Sequence, residues 1–326
     1  MRIALIGTNF VTDMFMAGAK LLDGCDVVAV CDVSMEKANA FADKYQIPLR
    51  YDSYEKLADK ELTDAIYIAT PNALHHDMSI YFLKRGFAVY CEKPMSANIQ
   101  QVEEILEVAT NNKSFVLEGL MPLYNPNFKI LKDALDLVGP IHQVVLNQSQ
   151  YSSRYDAYLE GKNPTTFRSE LANGAIMDLG VYAIGVCVGL FGKPHNIVSK
   201  ASLLDTGADV AGNSMFEYGD FIANVLYSKA SFTNNKSEIC GEHGTLRFNP
   251  LNLLSDIEFI DRKTKEVKVI SEKVETPIYY VLKEMMEDLA KGHTEASKHP
   301  FDQIRAVHEV MSECRRQAKI EYPQDK

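Results

Sequence analysis

The sequence predicts an α/β protein with an N-terminal doubly wound Rossmann domain and a C-terminal α+β domain, the latter built on a large, mainly antiparallel open sheet. Three observations support this fold class. The chain has 326 residues, enough for about two domains of ~150 residues each. Its first third alternates short apolar runs with helical patterns, which is typical of a parallel sheet covered on both faces. Later strand patterns follow one another with short links, as in an antiparallel meander.

The N-terminal elements alternate strictly between strand and helix. Unbroken apolar runs predict buried strands at 3–6, 27–31, 64–69, 87–91 and 115–117. Helical patterns lie between them at 13–22, 34–45, 74–85 and 98–112. Ser34 is a candidate N-cap for the second of these helices. Right-handed crossovers between such strands give a doubly wound sheet.

The rhythm changes after about residue 120. Polar and apolar residues then alternate in a series of runs, at 141–151, 196–204, 213–218, 221–227, 238–240, 245–248, 257–260 and 267–270. Gly, Asn or Asp separates many of them, which indicates tight turns between antiparallel strands. We expect one open sheet with helices on one face. Its outward face would be a natural surface for a homodimer or larger homo-oligomer.

Charge and cysteine usage limit the class of partner. Lys and Arg number 34 against 44 Asp and Glu, a net charge of −10 with His neutral. This balance disfavours nucleic acid and an anionic membrane surface and favours a small molecule. We expect no apolar run to reach the ~18–20 residues of a membrane span, and the N-terminus does not read as a signal peptide. Six widely spaced cysteines indicate reduced thiols in a cytoplasmic protein, and no metal site is expected.

The first strand-to-helix turn is the candidate phosphate cradle. A dinucleotide fingerprint has Gly at its first, third and sixth positions, whereas this turn keeps only Gly7, with Asn9 and Thr12 at the other two. Asn tolerates positive φ, so Asn9 is a candidate turn residue. Taken alone, the turn fits an ordinary strand-to-helix connection equally well.

Asp32 follows the second predicted strand, 25 positions after Gly7. An acid at this place accepts hydrogen bonds from the adenosine ribose and repels a 2′-phosphate. NAD is therefore preferred over NADP. Ser34 and Lys37 lie within reach of a 2′-phosphate, which keeps NADP open, and a turn or cap role is the structural alternative for Asp32.

Two further segments carry candidate chemistry. Lys93, in Cys91-Glu92-Lys93-Pro94, comes just after a buried strand, where doubly wound sheets bind their ligands. In the second domain Asp178 and Tyr182 stand four residues apart in an otherwise apolar segment. Buried polar groups without partners destabilise a protein by about 1–3 kcal/mol, so the pair is either a satisfied structural contact or part of a site.

The chain resembles the Gfo/Idh/MocA family of NAD(P)-dependent oxidoreductases over nearly its whole length. The resemblance rests on motifs in matching order: the turn at Gly7, Ala69-Thr70-Pro71-Asn72 with His75, Glu92-Lys93-Pro94, Glu118, the segment Asn173–Tyr182, and Gly241-Glu242-His243-Gly244-Thr245-Leu246. At the position of Tyr182 other members of the family have a histidine. The tyrosine makes the chain resemble the dihydrodiol dehydrogenase and glucose–fructose oxidoreductase branch.

The resemblance implies roles for particular residues. Lys93 would be catalytic, with Asp178 and Tyr182 completing the site, and hydride would pass between nicotinamide and a carbinol or carbonyl carbon of a sugar, polyol or diol. The implied cofactor contacts are Gly7, Thr8, Asn9, Phe10, Asp32, Thr70, Pro71, Asn72, His75, Glu92 and Lys93. The implied domains are 1–120 and 121–296, with the C-terminal helix segment 297–326 packing back onto the first domain.

Departures from the family pattern and other interpretations remain open. After Glu118 the usual Arg and His are absent from Met121-Pro122-Leu123-Tyr124-Asn125-Pro126. Arg154 and Arg168 lie in a loop that either walls a substrate pocket or is solvated surface. The alternatives for function are a non-catalytic dinucleotide-binding regulator on the same fold, or a reductase of a non-sugar carbonyl or dihydrodiol.

Overall fold

The structure, a computed structural model, describes residues 1–326. The chain forms two compact units, each assembled from two stretches of sequence. The first comprises Met1–Gly119 and Glu275–Phe301, and the second comprises Leu120–Val274 and Asp302–Lys326.

The first unit is built on a six-stranded sheet in the order β3-β2-β1-β4-β5-β6, with all neighbours parallel. Its strands are β1 (Arg2–Ile6), β2 (Asp26–Cys31), β3 (Leu49–Tyr51), β4 (Ala65–Ile68), β5 (Ala88–Cys91) and β6 (Val116–Glu118). Its helices are α1 (Phe10–Ala19), α2 (Met35–Tyr45), α3 (His75–Leu83), α4 (Ile99–Asn112) and, late in the chain, α9 (Pro277–Ala290). The predicted doubly wound Rossmann fold is confirmed.

The strand order places the ligand-binding edge of this sheet. Every residue of β4 is fully buried, which is why its sequence is an unbroken apolar run. The chain winds outward from β1 in one direction to β3 and from β4 in the other to β6. The switch point is therefore between β1 and β4, and ligands of doubly wound sheets bind outside the carboxyl ends of the strands there.

The second unit is built on an eight-stranded sheet in the order β14-β13-β12-β11-β7-β10-β9-β8, antiparallel except for the parallel pair β7 and β10. Its strands are β7 (Ile141–Ser149), β8 (Asn196–Leu203), β9 (Asp209–Glu217), β10 (Ile222–Ser228), β11 (Ser237–Gly241), β12 (Gly244–Asn249), β13 (Asp256–Asp261) and β14 (Val267–Val269). Its helices are α5 (Pro126–Asp133), α6 (Leu135–Val138), α7 (Ser153–Leu159), α8 (Val181–Phe191) and α10 (Phe301–Ala318). The predicted open, mainly antiparallel sheet is confirmed.

The core of the second unit contains a longer apolar helical run than the sequence analysis expects. Ser169–Phe191 spans 23 residues, and its most apolar 18-residue stretch has a mean hydropathy of 1.9, so it is long and apolar enough to cross a membrane. The expectation that no run reaches this length is therefore wrong. However, 89% of its most apolar stretch is buried within the fold, as in the core helix of a globular protein.

The structure divides the C-terminal residues differently from the expected domain bounds. The helix that joins the first unit is α9, which packs on α1, where a Cβ at Gly18 would lie only 2.9 Å from the backbone nitrogen of Tyr279. The final helix α10 belongs to the second unit. Gln317 of α10 accepts the N–H of Ser199 at 3.0 Å and donates to the carbonyl of Ile197 at 2.8 Å. Hydrogen bonds to the edge strand β8 thus fix this helix.

Candidate active site

The turn after β1 is held by Gly7 and Asn9 in different ways. Gly7 has φ +99°, and a Cβ there would come 2.3 Å from the carbonyl oxygen of Ala69. Asn9 is extended, with φ −97°, so the expectation that it turns in the left-handed region is wrong. It is the N-cap of α1, accepting the N–H groups of Val11 at 3.0 Å and Thr12 at 3.3 Å. Its amide also donates to the Ala69 carbonyl at 2.7 Å, which ties the turn to the end of β4.

Asp32 lies beside this turn, at the carboxyl end of β2. Its carboxylate accepts the Thr8 hydroxyl at 2.7 Å and the Ser34 backbone N–H at 3.0 Å, so both oxygens have fixed orientations. Ser34 caps α2 by accepting the N–H of Lys37, as the sequence predicts. Phe10 opens α1 with 77% of its surface exposed.

These residues fit an adenine dinucleotide. The absence of a Cβ at Gly7 lets the backbone of the turn approach the end of β4. The N-terminus of α1, where Asn9 caps the N–H groups of Val11 and Thr12, lies where this fold places a pyrophosphate. The Asp32 carboxylate stands where the fold places the acceptor for ribose hydroxyls. The capped helix end, the missing Cβ and the acid all lie at the same edge of the sheet.

His75 has a structural role beside the cofactor contact that the resemblance implies. Its ring is buried, with 1% of the residue exposed. Nδ1 lies 2.9 Å from the carbonyl oxygen of Pro94, and Nε2 lies 2.9 Å from that of Thr70. Burial lowers the pKa of His75. Both ring nitrogens are engaged with the chain, so His75 links the loop after β4, which carries Thr70, Pro71 and Asn72, to the loop after β5.

Glu92 and Lys93 follow β5 directly, and the peptide bond between Lys93 and Pro94 is cis. Glu92 is buried and accepts the hydroxyl of Tyr67 at 2.8 Å and the N–H of Lys93 at 3.2 Å. Burial raises the pKa of Glu92 to about 7, against the opposing effect of the Lys93 charge. Glu92 is therefore a buried acid that supports the backbone of Lys93.

The backbone after Lys93 is fixed by a second buried acid, Glu118, at the end of β6. Glu118 accepts the N–H of Met95 at 2.7 Å, and its other oxygen lies 3.1 Å from Nε2 of His299. Both side chains are fully buried. Sequence reasoning assigned Glu118 only a family match and missed His299, which stands 181 residues away and gives no local signal. Lys93 itself is half-buried. Its backbone is therefore fixed by buried acids, while its side chain is still partly exposed to solvent.

Asp178 and Tyr182 lie on consecutive helical segments of the second unit. Asp178 belongs to a single π-helical turn, Ile176–Gly180, and Tyr182 to α8. Such π-turns occur often at functional sites. The side chain of Asp178 is 47% exposed, whereas Tyr182 is buried with 6% exposed. The two predicted residues thus differ in their access to solvent.

Lys229 is a charged neighbour of Asp178 that sequence reasoning missed. Its ammonium donates to Oδ2 of Asp178, and its side chain is 7% exposed. A signal for its burial was present. Ala223, Val225 and Tyr227 are the inward residues of β10, and the period of two places residue 229 on the same face.

A second buried acid, Asp209 on β9, holds the start of the π-helical turn. Its Oδ2 accepts the N–H of Ile176 at 2.7 Å. A Cβ at Gly174 would lie 2.0 Å from Oδ1 of the same carboxyl, which explains the glycine. Burial raises the pKa of Asp209 to about 6.

The two predicted arginines lie between β7 and α8. Arg154 is exposed on α7, and its backbone N–H donates to the hydroxyl of the N-cap Ser152 at 3.2 Å. Arg168 is half-buried, and its guanidinium pairs with Glu170 at 2.8 Å. The expectation that they bind substrate stays a prediction.

Both halves of the sequence match known domain families. Residues 1–120 match the oxidoreductase family with an NAD-binding Rossmann fold, GFO/IDH/MocA, and residues 136–247 match the GFO/IDH/MocA C-terminal domain. The chain is 32% identical to scyllo-inositol 2-dehydrogenase (NADP(+)) of Bacillus subtilis, covering 99% of both chains. It is 35% identical to an uncharacterised oxidoreductase of Escherichia coli, covering 99% of this chain and 98% of the other.

The chain is also similar to more distant relatives and to solved structures. Trans-1,2-dihydrobenzene-1,2-diol dehydrogenase of Xenopus tropicalis is 26% identical, with 96% of each chain covered. A levoglucosan dehydrogenase in complex with NADH and L-sorbose superposes with a TM-score of 0.84 at 14% identity, over 99% of this chain and 97% of the other. The 3-ketoreductase of Actinomadura kijaniata in complex with NADP has a TM-score of 0.81 at 18% identity, over 97% of both chains. At these identities the solved structures support the fold alone.

Proposed function

Because the chain belongs to the GFO/IDH/MocA family of NAD(P)-dependent oxidoreductases, we propose that it transfers hydride between nicotinamide and a carbinol or carbonyl carbon of a sugar, polyol or diol. Relatives named for scyllo-inositol and for a dihydrodiol support this substrate class. We also propose Lys93, Tyr182 and Asp178 as the residues that act on the substrate.

The proposed residues divide the proton chemistry between them. The nicotinamide, when bound, accepts or supplies the hydride at C4. In the oxidation direction the carbinol hydroxyl must lose its proton as its carbon loses hydride. Lys93 holds the reacting oxygen and takes that proton, and Tyr182 is the alternative or relay group. In the reduction direction the same groups act as acids and return the proton to the oxygen. Asp178 orients the substrate by accepting a hydrogen bond from one of its hydroxyls.

One observation carries the role of Lys93. The buried carboxyl group of Glu92 accepts the backbone N–H of Lys93. That of Glu118 accepts the backbone N–H of Met95, two residues further along the chain. The side chain of Lys93 remains half-buried at the carboxyl edge of the sheet. A side chain needs such support from buried neighbours to hold a reacting group within a fraction of an ångström.

Replacing the ammonium tests the assignment. Lys93→Met should lower kcat by about 1,000-fold or more, because proton transfer by a positioned group contributes about 10²–10⁴-fold. Coenzyme affinity, measured by the quenching of NADH fluorescence, should change little. Lys84→Met removes an exposed lysine from the same unit and should leave both unchanged. Turnover near the wild-type rate in the Lys93 variant would remove Lys93 from the mechanism.

A second substrate class, a non-sugar carbonyl or dihydrodiol, is favoured by Tyr182 and by the dihydrodiol dehydrogenase relatives. A panel of inositols, sugars and cyclic diols, each with NAD and NADP and read at 340 nm, separates the classes. Asp32 favours NAD, while one relative is named for NADP(+). Coenzyme binding without turnover on any member of the panel would favour a regulator instead.

We further propose a cytoplasmic homo-oligomer. The support for the compartment is that the cysteines are free thiols, of which Cys31, Cys91, Cys187 and Cys314 are buried. The support for assembly is the outward face of the sheet, where Val198, Val267 and Val269 are exposed.

A further inference from the structure

Lys229 is held at the end of β10 from both sides. Its backbone N–H donates to the carbonyl of Val210 at 2.9 Å, and its own carbonyl accepts the N–H of Ser152 at 2.9 Å. These bonds continue the pairing of β10 beyond its last residue. The position of the Lys229 Cα is thus set by the sheet, and its side chain points to the buried face.

The ion pair of Lys229 with Asp178 is asymmetric in its exposure. The lysine side chain is 7% exposed and the aspartate side chain 47%. An ammonium buried without a counter-charge is strongly destabilising, so the pair constrains both groups. The cation is on the inside, and the carboxylate is carried at the surface of the unit.

Another charged group near Lys229, the carboxyl of Asp209, holds the backbone of the same turn. Asp209 feels the charges of Lys229 and Arg315, although burial is the larger effect and raises the pKa of Asp209 to about 6. Its carboxyl accepts the N–H of Ile176 at 2.7 Å. Asp209 therefore fixes the first residue of the π-helical turn, and Lys229 fixes the carboxylate that the turn presents.

We propose that Lys229 is a positioning residue that holds Asp178 in one rotamer, so that its carboxylate accepts a hydrogen bond from a hydroxyl next to the reacting carbon. The inference rests on the proposed function, in which Asp178 orients the substrate. It also names a substrate requirement, namely a neighbouring second hydroxyl, because a carboxylate can accept but not donate.

The test compares Lys229→Met, Lys229→Gln and Lys229→Arg on the best substrate of the panel and on its analogue lacking the neighbouring hydroxyl. The Met and Gln variants should lose about 10–100-fold in kcat/KM on the diol, since small misplacements of orienting groups have effects of this size. Lys229→Arg keeps a positive charge beside Asp178 and should lose less kcat/KM than either of these variants.

Two comparisons separate positioning from general damage to the fold. Preference for the diol over its analogue should shrink in Lys229→Met, while NADH affinity and melting temperature stay close to wild type. Lys263→Met, an exposed lysine of the same unit, should change nothing. Asp178→Asn combined with Lys229→Met should be no slower than Asp178→Asn alone, because a residue that acts through another has no separate effect.

The outcomes distinguish this inference from the proposed function. If Asp178→Asn turns over normally, the proposed role of Asp178 fails and this inference with it. If Asp178→Asn is impaired but the Met and Gln variants keep the wild-type kcat/KM and diol preference, only the role of Lys229 is overturned. If Lys229→Met does not fold, the Gln variant gives the same decision, since it keeps a donor while removing the charge.

Discussion

Glu92 shows how burial changes the chemistry of a single residue. Its carboxyl sits below Lys93 with Tyr67 as a hydrogen-bond donor, and burial raises its pKa from an ordinary 4.5 to about 7. An acid whose pKa is higher in the folded than in the unfolded chain binds its proton more tightly when folded. Its contribution therefore makes the free energy of unfolding fall as pH rises from about 4.5 to about 7, and adds no further change above that.

Glu92→Gln should remove this pH dependence. Between about pH 5 and about pH 7.5 the free energy of unfolding of wild type should fall by about 2–3 kcal/mol more than that of the variant, since one pKa unit corresponds to ~1.4 kcal/mol. Urea denaturation at several pH values measures it. Glu107→Gln, at an exposed position of α4, is the control and should follow wild type. A Glu92→Gln variant whose stability profile runs parallel to wild type would contradict the raised pKa.

Residue positions were predictable from the sequence only where the spacing of a motif fixes them. Asp32 lies at the end of β2 with both oxygens engaged, in the place that its spacing from Gly7 predicts. His75 is different, because its two carbonyl partners come from loops that only the fold brings together. His299 is likewise distant from Glu118 in sequence, so no pattern in one chain reveals the pair.

At the scale of elements, the first βα turn depends on the close approach of β1 and β4. Gly7→Ala should destabilise the protein by more than about 2 kcal/mol and weaken NADH binding about 10-fold or more. Its new Cβ would combine a strained φ of +99° with a separation of 2.3 Å from the Ala69 oxygen. Melting curves and fluorescence titration measure the two effects.

The matched control for that prediction is Gly24→Ala. Gly24 also has positive φ, +77°, but a Cβ there meets nothing within 4 Å. The free energy of unfolding of Gly24→Ala should fall by only about 1 kcal/mol, which is the conformational part of the effect, and its NADH affinity should be unchanged. Equal losses in the two variants would show that the contact with Ala69 is unimportant.

Element types were more predictable than their local geometry. Unbroken apolar runs identified β1, β2, β4, β5 and β6, because strands buried on both faces have no polar side to reveal an alternation. The short strand β3 lacks such a run, since all three of its residues are only half-buried, and it went unpredicted. The π-helical turn was also unforeseen, as it depends on Asp209 from a distant strand holding its first N–H.

At the scale of the molecule, the outward face of the eight-stranded sheet carries the proposed assembly. Leu226 lies on this face, since it alternates with the buried Val225 and Tyr227. Leu226→Lys should therefore shift the protein toward a monomer, as measured by light scattering after size exclusion. Val33→Lys changes a residue that is 92% exposed in the first unit and should not. A wild-type protein that is already monomeric would end the proposal.

The sequence did not indicate which unit each of the last two helices joins: α9 lies in the first unit and α10 in the second. Both α9 and α10 have amphipathic sequence patterns, but the spacing of their apolar residues does not indicate which unit the apolar face packs against. The choice is made by partners such as the close contact at Gly18 and the hydrogen bonds of Gln317.

The late position of α9 has a consequence for biosynthesis. A ribosome delivers the Rossmann strands first, yet the helix that covers α1 emerges only after the whole of Leu120–Val274 has been made. Until then the nascent N-terminal part lacks the packing of Ile278, Val281 and Leu282, which are fully buried in the finished protein. A gene fragment that ends near codon 120 would therefore encode a domain whose apolar surface on α1 is exposed to solvent. To express the first unit separately, residues 275–301 must be joined to this fragment.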